Sequence, residues 1–155
     1  MEHLIRGAGP DDRAAVEELV AAAYVPWVAV IGGRPKPMDA DYAGLIDAGR
    51  VHLAVDSGTD VLDGLIVLVP EPGTLLVENV AVRPALHGRG LGRRLLAFAE
   101  GEAGRLGLPA LRLYTNGKMT RNIALYEALG YAVTERRPVE GRGHIVLMRK
   151  ELTSG

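Results

Sequence analysis

Apolar residues first recur at helical spacing at Val16, Leu19, Val20, Ala23 and Tyr24. This period predicts a first helix running to about Tyr24, opened by Pro10-Asp11-Asp12 with an aspartate as cap. Pro26 is expected to end it, because proline cannot continue a helical hydrogen-bond ladder. Ahead of it, His3 to Arg6 reads as a short strand. Trp27, Gly32, Gly33, Pro35 and Pro37 punctuate the stretch 25–37 too heavily for regular structure throughout. A second helix is predicted from about Asp39 to Ala48, closing at Gly49.

The period then changes. Val51–Val55 and Val61–Val69 are β-rich, joined by the hairpin-type connection Asp56-Ser57-Gly58-Thr59-Asp60. Pro70–Gly73 is expected to turn the chain into a third extended segment, Thr74–Val82, which Pro84 ends. Glycines 88, 90 and 92 lead into a helix whose apolar stripe is Leu91, Leu95, Ala99, Ala103 and Leu106, stopped by Gly107 and Pro109. Leu111–Thr115 is a further strand, and a short helix from about Arg121 to Leu129 ends at Gly130. Two last strands, about Tyr131–Arg137 and His144–Lys150, flank a Gly141-Arg142-Gly143 turn. The order β-α-α-β-β-β-α-β-α-β-β gives an α/β class with a mixed sheet. The unit 74–115 implies a parallel strand pair, and the hairpins imply antiparallel neighbours.

Composition narrows the function. The 155 residues suit a single domain, with 48% hydrophobic and 24% charged residues as in ordinary globular chains. Without cysteine there is no disulfide framework, thiolate metal site or cysteine nucleophile. A net charge of −1 offers no general attraction to nucleic acid or anionic membranes, and one Phe and one Trp make a poor base-stacking surface. There is no secretory leader pattern and no apolar run approaching the about 18 residues needed to cross a bilayer, so a cytoplasmic location is expected, with neither membrane nor nucleic acid as partner. His3, His52 and His144 are scattered without metal-site spacing, and no metal is expected.

The sharpest feature is Val80-Ala81-Val82-Arg83-Pro84-Ala85-Leu86-His87-Gly88-Arg89-Gly90-Leu91-Gly92-Arg93-Arg94. A strand enters a glycine-rich turn, and the turn opens a helix. Glycines let backbone N–H groups approach a ligand, and a helix start leaves about four of them unpaired. With the positive end of the helix dipole, this is a site for phosphate or pyrophosphate. Arg89, Arg93 and Arg94 are placed to add charge-assisted contacts. A P-loop would require Gly-Lys-Ser/Thr, and a dinucleotide fingerprint G-x-G-x-x-G; the spacing G-x-G-x-G meets neither. A ligand-free flexible turn is the plain alternative.

The run Val80–Leu96 resembles the acetyl-CoA motif of the GNAT superfamily of N-acetyltransferases, V-x-V-x-P followed by Q/R-x-x-G-x-G/A, with His87 at the Gln/Arg position. Downstream, Asn122-Ile123-Ala124-Leu125-Tyr126-Glu127-Ala128-Leu129-Gly130-Tyr131 is similar to that family's N-x-x-A-x-x-x-Y-x-x-x-G-F/Y segment, with Tyr126 one place early relative to some members. The resemblance implies a single domain whose mixed sheet is splayed at its centre and flanked by helices, with acetyl-CoA as cosubstrate.

It further implies that strands 74–82 and 111–115 part around the pantetheine arm. Val80, Ala81 and Val82 would line that arm, with the Val80 N–H polarising the thioester carbonyl. The amides of Gly88, Arg89, Gly90, Leu91, Gly92 and Arg93 would hold the pyrophosphate, Asn122 would contact the arm, and Tyr126 would protonate the departing sulfur. Strand alternation puts Glu78 on the face of Val80 and Val82, which makes it the candidate base; a structural carboxylate is the alternative. Tyr24 and Trp27 belong to the segment that tends to wall the acceptor pocket in this family, and Asn116 ends the second parting strand, where ligands gather in open sheets. The acceptor would be an amine of a small molecule or of a peptide or protein. A non-catalytic acyl-CoA-binding domain is the competing class, and a homodimer through the last strands is left open.

Overall fold

The computed structural model describes residues 2–141 and 143–152, so Arg142 of the expected final turn lies outside the described residues. In chain order the elements are β1 (His3–Gly7), α1 (Arg13–Ile31), α2 (Tyr42–Asp47), β2 (Val51–Asp56), β3 (Leu62–Glu71) and β4 (Thr74–Val82). They continue with α3 (Leu91–Arg105), β5 (Ala110–Asn116), α4 (Thr120–Ala128), β6 (Ala132–Pro138) and β7 (His144–Glu151). The strands form one seven-stranded sheet in the order β1-β2-β3-β4-β5-β7-β6. Only β4 and β5 run parallel, as a strand–helix–strand unit requires; the other neighbours are antiparallel.

Period-two alternation sorts the strands between two apolar layers. On one face Leu91, Leu95, Leu96, Ala99 and Ala103 of α3 pack with Tyr126 of α4 against Ile66, Leu75, Val77, Leu111 and Leu113. On the other, Val16, Leu19, Val20, Ala23 and Tyr24 of α1 and Tyr42 and Ile46 of α2 meet Leu53, Val55, Leu65, Val67 and Ala81. Leu106, expected on the buried stripe of α3, is 41% exposed, because the helix ends before it.

The centre of the sheet is split. The β4–β5 ladder holds only from Leu75↔Leu111 to Val77↔Leu113. Beyond it β4 stays paired with β3, and β5 stays paired with β7 up to Asn116↔Ile145. A bulge sits at the parting: Val67 faces Asn79 and Leu68 faces Val77, so Glu78 is the extra residue. Bulges bend a strand and increase its twist, which turns β4 away from β5.

Three boundaries differ from the sequence expectation. Pro26 lies inside α1, which continues to Ile31 and ends where Gly32 takes the left-handed conformation at φ 87°. Proline forfeits one helical bond, but Ile31 beyond it is fully buried in the core, and tertiary packing outweighs that loss. The second helix shrinks to Tyr42–Asp47 behind a separate 3₁₀ turn at Lys36–Asp39, because Ala40 is extended and Asp41 caps α2 by accepting the Gly44 N–H. Pro70 belongs to β3 opposite Leu75, leaving Pro72-Gly73 as the turn. The helical run Pro10–Ile31 is also long and apolar enough to cross a membrane, with mean hydropathy 1.6 over its most apolar stretch, against the expectation that no apolar run approaches that length. Its buried stripe packs on the sheet.

At the end of the β4–β5 ladder away from the split, Arg112 makes a two-pronged contact with Glu71, Nε to Oε1 at 2.6 Å and a terminal N–H to Oε2 at 2.8 Å. The Arg112 hydrogen bonds hold the Glu71 carboxyl below its ordinary range. A carboxylate with a depressed folded pKa stabilises the fold above its unfolded pKa and ceases to as pH falls through the folded one. Glu71→Gln should therefore cost on the order of 1 kcal/mol at pH 7 in urea titrations. That difference should shrink toward zero as pH is lowered through and below the glutamate range. A second prediction concerns Gly64, where an added Cβ would sit 3.2 Å from each of Ala81 O, Leu91 Cδ2 and Leu95 Cδ1. Gly64→Val should destabilise by about 1–3 kcal/mol in thermal melts, since its side chain would press on the Ala81 backbone carbonyl and on two leucines of α3.

Candidate active site

The glycine-rich turn builds one wall of a groove of about 520 Å³. Pro84–Leu86 forms a 3₁₀ turn, and Gly88 and Gly90 then take left-handed φ values of 80° and 86°. Any other residue there would cost about 1–2 kcal/mol. The Gly90 carbonyl accepts the first bond of α3, from Arg94 N–H at 3.1 Å. The amides of Leu91, Gly92 and Arg93 precede that bond, so they stand outside the helical ladder at the positive end of the dipole.

Val80, Ala81, Val82, His87, Gly88, Gly90, Leu91, Gly92, Arg93, Asn122 and Tyr126 all line this groove. Two expected arginines do not serve it. Arg89 is absent from the lining, and Arg94 donates to the His3 carbonyl at 3.1 Å, which commits it to β1. The His87 ring lies 3.1 Å from the Val82 carbonyl. Arg121 is a lining cation that the sequence reading missed. Its only signal was a basic residue preceding Asn122 in the first turn of α4.

Where β4 and β5 part lies a chamber of about 90 Å³, bounded by Val77–Val80 on one strand and Leu113–Asn116 on the other. Tyr24, Val80, Met119, Asn122 and Tyr126 line both chamber and groove, so the two meet there. Glu78 and Asn116 line the chamber as expected. Asn116 also accepts the Lys118 N–H at 2.9 Å, closing β5. Trp27 is a correction: it lines the groove and not the chamber, because the continued α1 carries it alongside the glycine turn. Glu78 is a second one. The bulge breaks the alternation, so Val77 and Val80 both pack toward the α3 layer, while Glu78 joins Lys36, Pro37 and Tyr42 around an outer pocket of about 420 Å³. It does not share the face of Val80 and Val82.

A buried polar chain fixes this geometry. The Tyr24 hydroxyl donates to Asn79 Oδ1 at 2.5 Å and lies 3.3 Å from the Val80 carbonyl. Asn79 Nδ2 donates to the Tyr42 hydroxyl at 3.1 Å, which donates to the Pro37 carbonyl at 2.5 Å. Helices α1 and α2 and the 3₁₀ turn are thereby pinned to the bulge. Burial raises the Tyr24 and Tyr126 phenols well above the usual range, so both remain protonated at neutral pH. The ring of Tyr126 meets that of Tyr131 edge-on at 5.9 Å, which orients it.

Away from this site, the structure brings His3, which looked isolated in sequence, together with Asp56 and Asp63 within 4.8 Å. Both oxygens of Asp63 are engaged, by His3 at 2.9 Å and Arg83 at 3.3 Å. Asp56 accepts the amides of Gly58 and Thr59. These bonds account for the cluster as a fold contact between β1, β2 and β3.

Residues 47–133 match the sequence model of the acetyltransferase (GNAT) domain, more than half of the chain. The chain belongs to the GNAT acetyltransferase family. An IAA acetyltransferase of Azospirillum brasilense is 41% identical over 83 residues, covering 54% of each chain. A mycothiol acetyltransferase of Tsukamurella paurometabola is 32% identical over 140 residues, 83% of this chain and 48% of that protein. The chain thus spans about half the length of these curated relatives. In fold it superposes on the PaiA N-acetyltransferase of Thermoplasma acidophilum, solved with coenzyme A, at TM-score 0.81 and 17% identity, covering 97% and 99% of the two chains. The GNAT domain match runs from the end of α2 into β6 and so includes both parting strands and the glycine turn.

Replacing Asn79 by Ala should cost about 2–3 kcal/mol, since it removes two buried hydrogen bonds and leaves the Tyr24 hydroxyl only its longer contact to the Val80 carbonyl. Tyr24→Phe should cost less, and chemical denaturation of the pair checks that ranking.

Proposed function

We propose that the protein is an acetyl-CoA-dependent N-acetyltransferase that acetylates a primary amine of a small molecule, peptide or protein. The observation that carries this reading is the junction at Val80 and Tyr126, where an amide-lined groove opens into a chamber between two parted strands. Family membership and the coenzyme A bound by the PaiA neighbour support the same cosubstrate.

The groove fits the cosubstrate by its chemistry. The amides of Leu91–Arg93, with Arg93 and Arg121 at the rim, suit a diphosphate. Beyond Val77 the inner edge of β4 has no strand partner in β5, so its backbone groups are available to pair with the amides of a pantetheine arm. That arm would bring the thioester to Val80, whose N–H would stabilise charge on the carbonyl oxygen as it becomes tetrahedral.

The amine must be neutral to attack. For an amine with pKa about 10.4, deprotonation at pH 7 costs about 4.6 kcal/mol. Glu78, at the chamber wall, would take that proton directly or through water. The amine nitrogen bonds to the carbonyl carbon, the C–S bond breaks, and the sulfur leaves as thiolate. Tyr126, kept protonated by burial, would donate its proton to that sulfur and recover it from solvent through the groove.

Calorimetric titration with CoA, combined with thiol release from acetyl-CoA over an amine panel, tests the reading. Binding with turnover supports it; binding without any turnover would leave a non-catalytic acyl-CoA-binding domain. Tyr126→Phe should lower kcat by one to two orders of magnitude with little change in acetyl-CoA affinity, and an unchanged kcat would remove it from the mechanism. Glu78→Gln should reduce kcat/KM strongly at pH 7 and much less near pH 10, where the amine deprotonates unaided. A loss equal at both pH values would make Glu78 structural.

A further inference from the structure

The chamber is small and mostly apolar. Away from the junction one side of its wall is Ile31, Pro35, Pro37, Val139 and Ile145, the strands add uncharged Asn79, Thr115 and Asn116, and Glu78 is the one carboxylate among the described residues that line it. Its about 90 Å³ is less than the roughly 150 Å³ of a cavity that takes a benzene ring, so it admits a slim stem and little else. Outward, the chamber continues past Lys36, Pro37, Glu78, Asn79 and Tyr114 into the outer pocket. The second carboxylate there, Asp39, is already paired with Arg34 at 2.9 Å. The accessible cation at that mouth, Lys36, repels positive charge.

We infer that the acceptor is a primary amine with a single cationic centre on a slim apolar stem, seated with its nitrogen at Glu78 and its stem along Ile31, Pro35, Val139 and Ile145. This rests on the acetyltransferase reading above and names its substrate class. One buried-side carboxylate meets one ammonium group before it gives up its proton. A polyamine would have to place its second charge against apolar wall or beside Lys36, and an uncompensated charge in such surroundings is costly. A free alkylamine and a lysine side chain share this chemistry.

The test compares n-pentylamine, Nα-acetyl-lysine-N-methylamide and spermidine as acceptors for the full chain, by thiol release, with CoA binding measured calorimetrically on the same preparation. The expected result is kcat/KM at least tenfold higher for one of the two monocations than for spermidine; the better of the two identifies the source of the amine. Val139→Glu, in the loop between β6 and β7, adds a second carboxylate to the wall and should move the ratio toward spermidine by tenfold or more. Ile145→Glu repeats the experiment on β7 should the first variant melt early. If CoA binds and spermidine is the equal or better acceptor, the substrate class is wrong while the acetyltransferase reading stands; if CoA binds and no amine is turned over, both fall and a non-catalytic acyl-CoA-binding domain is left. If neither variant, folded, shifts the ratio, the seating along this wall is wrong. If CoA does not bind, both readings fall.

Discussion

Everything that distinguishes this site follows from one irregularity in β4. A parallel ladder that continued past Val77 would satisfy both strands and leave no space between them. The extra residue at Glu78 bends β4 while its outer pairing with β3 survives, and β5 keeps its own outer pairing with β7. Each strand is therefore secured from outside, and the gap between them costs only inner-edge hydrogen bonds that a bound chain segment can restore. The same bend turns Glu78 away from the groove and toward the outer pocket. On the proposed reading, an amine beside Glu78 and a thioester held in the groove would therefore meet from different directions.

A bulge is only useful if it does not slip, and the Tyr24–Asn79–Tyr42 chain prevents slippage. Asn79 is buried, and moving it by one position would break the two hydrogen bonds that its amide makes with Tyr24 and Tyr42. The chain also reaches the Pro37 carbonyl, so the 3₁₀ turn that walls the chamber is positioned by the element that creates the chamber. Chamber wall and bulged strand are then held as one unit, while the glycine turn on the far side of Val82 leads into α3.

Much of this was legible in the residues. Binary patterning located all seven strands and the helices that cover them, because the extended segments are rich in β-branched and apolar residues and bounded by glycine and proline turns. The glycine spacing and the Asn122–Tyr131 segment pointed to the groove, since left-handed glycines and a helix start are local requirements. What failed was non-local. Pro26 is a helix breaker by itself, but Ile31 reaches the core only if the helix continues through it, and Trp27 moves to the groove as a consequence. Alternation misplaced Glu78 because a bulge is set by the partner strand, Val67 and Leu68, and by the buried asparagine beside it. Arg121 lines the groove and Arg89 does not, because which cation faces it depends on how the first turn of α4 and the glycine turn meet in three dimensions.

Backbone amide hydrogen exchange with and without saturating CoA tests the central claim most directly. The account predicts slowed exchange at Val80–Val82 and at Leu91–Arg93, with smaller effects in the first turn of α4 and none on β6. Unchanged exchange at the inner edge of β4 together with unchanged exchange at the start of α3 would contradict it.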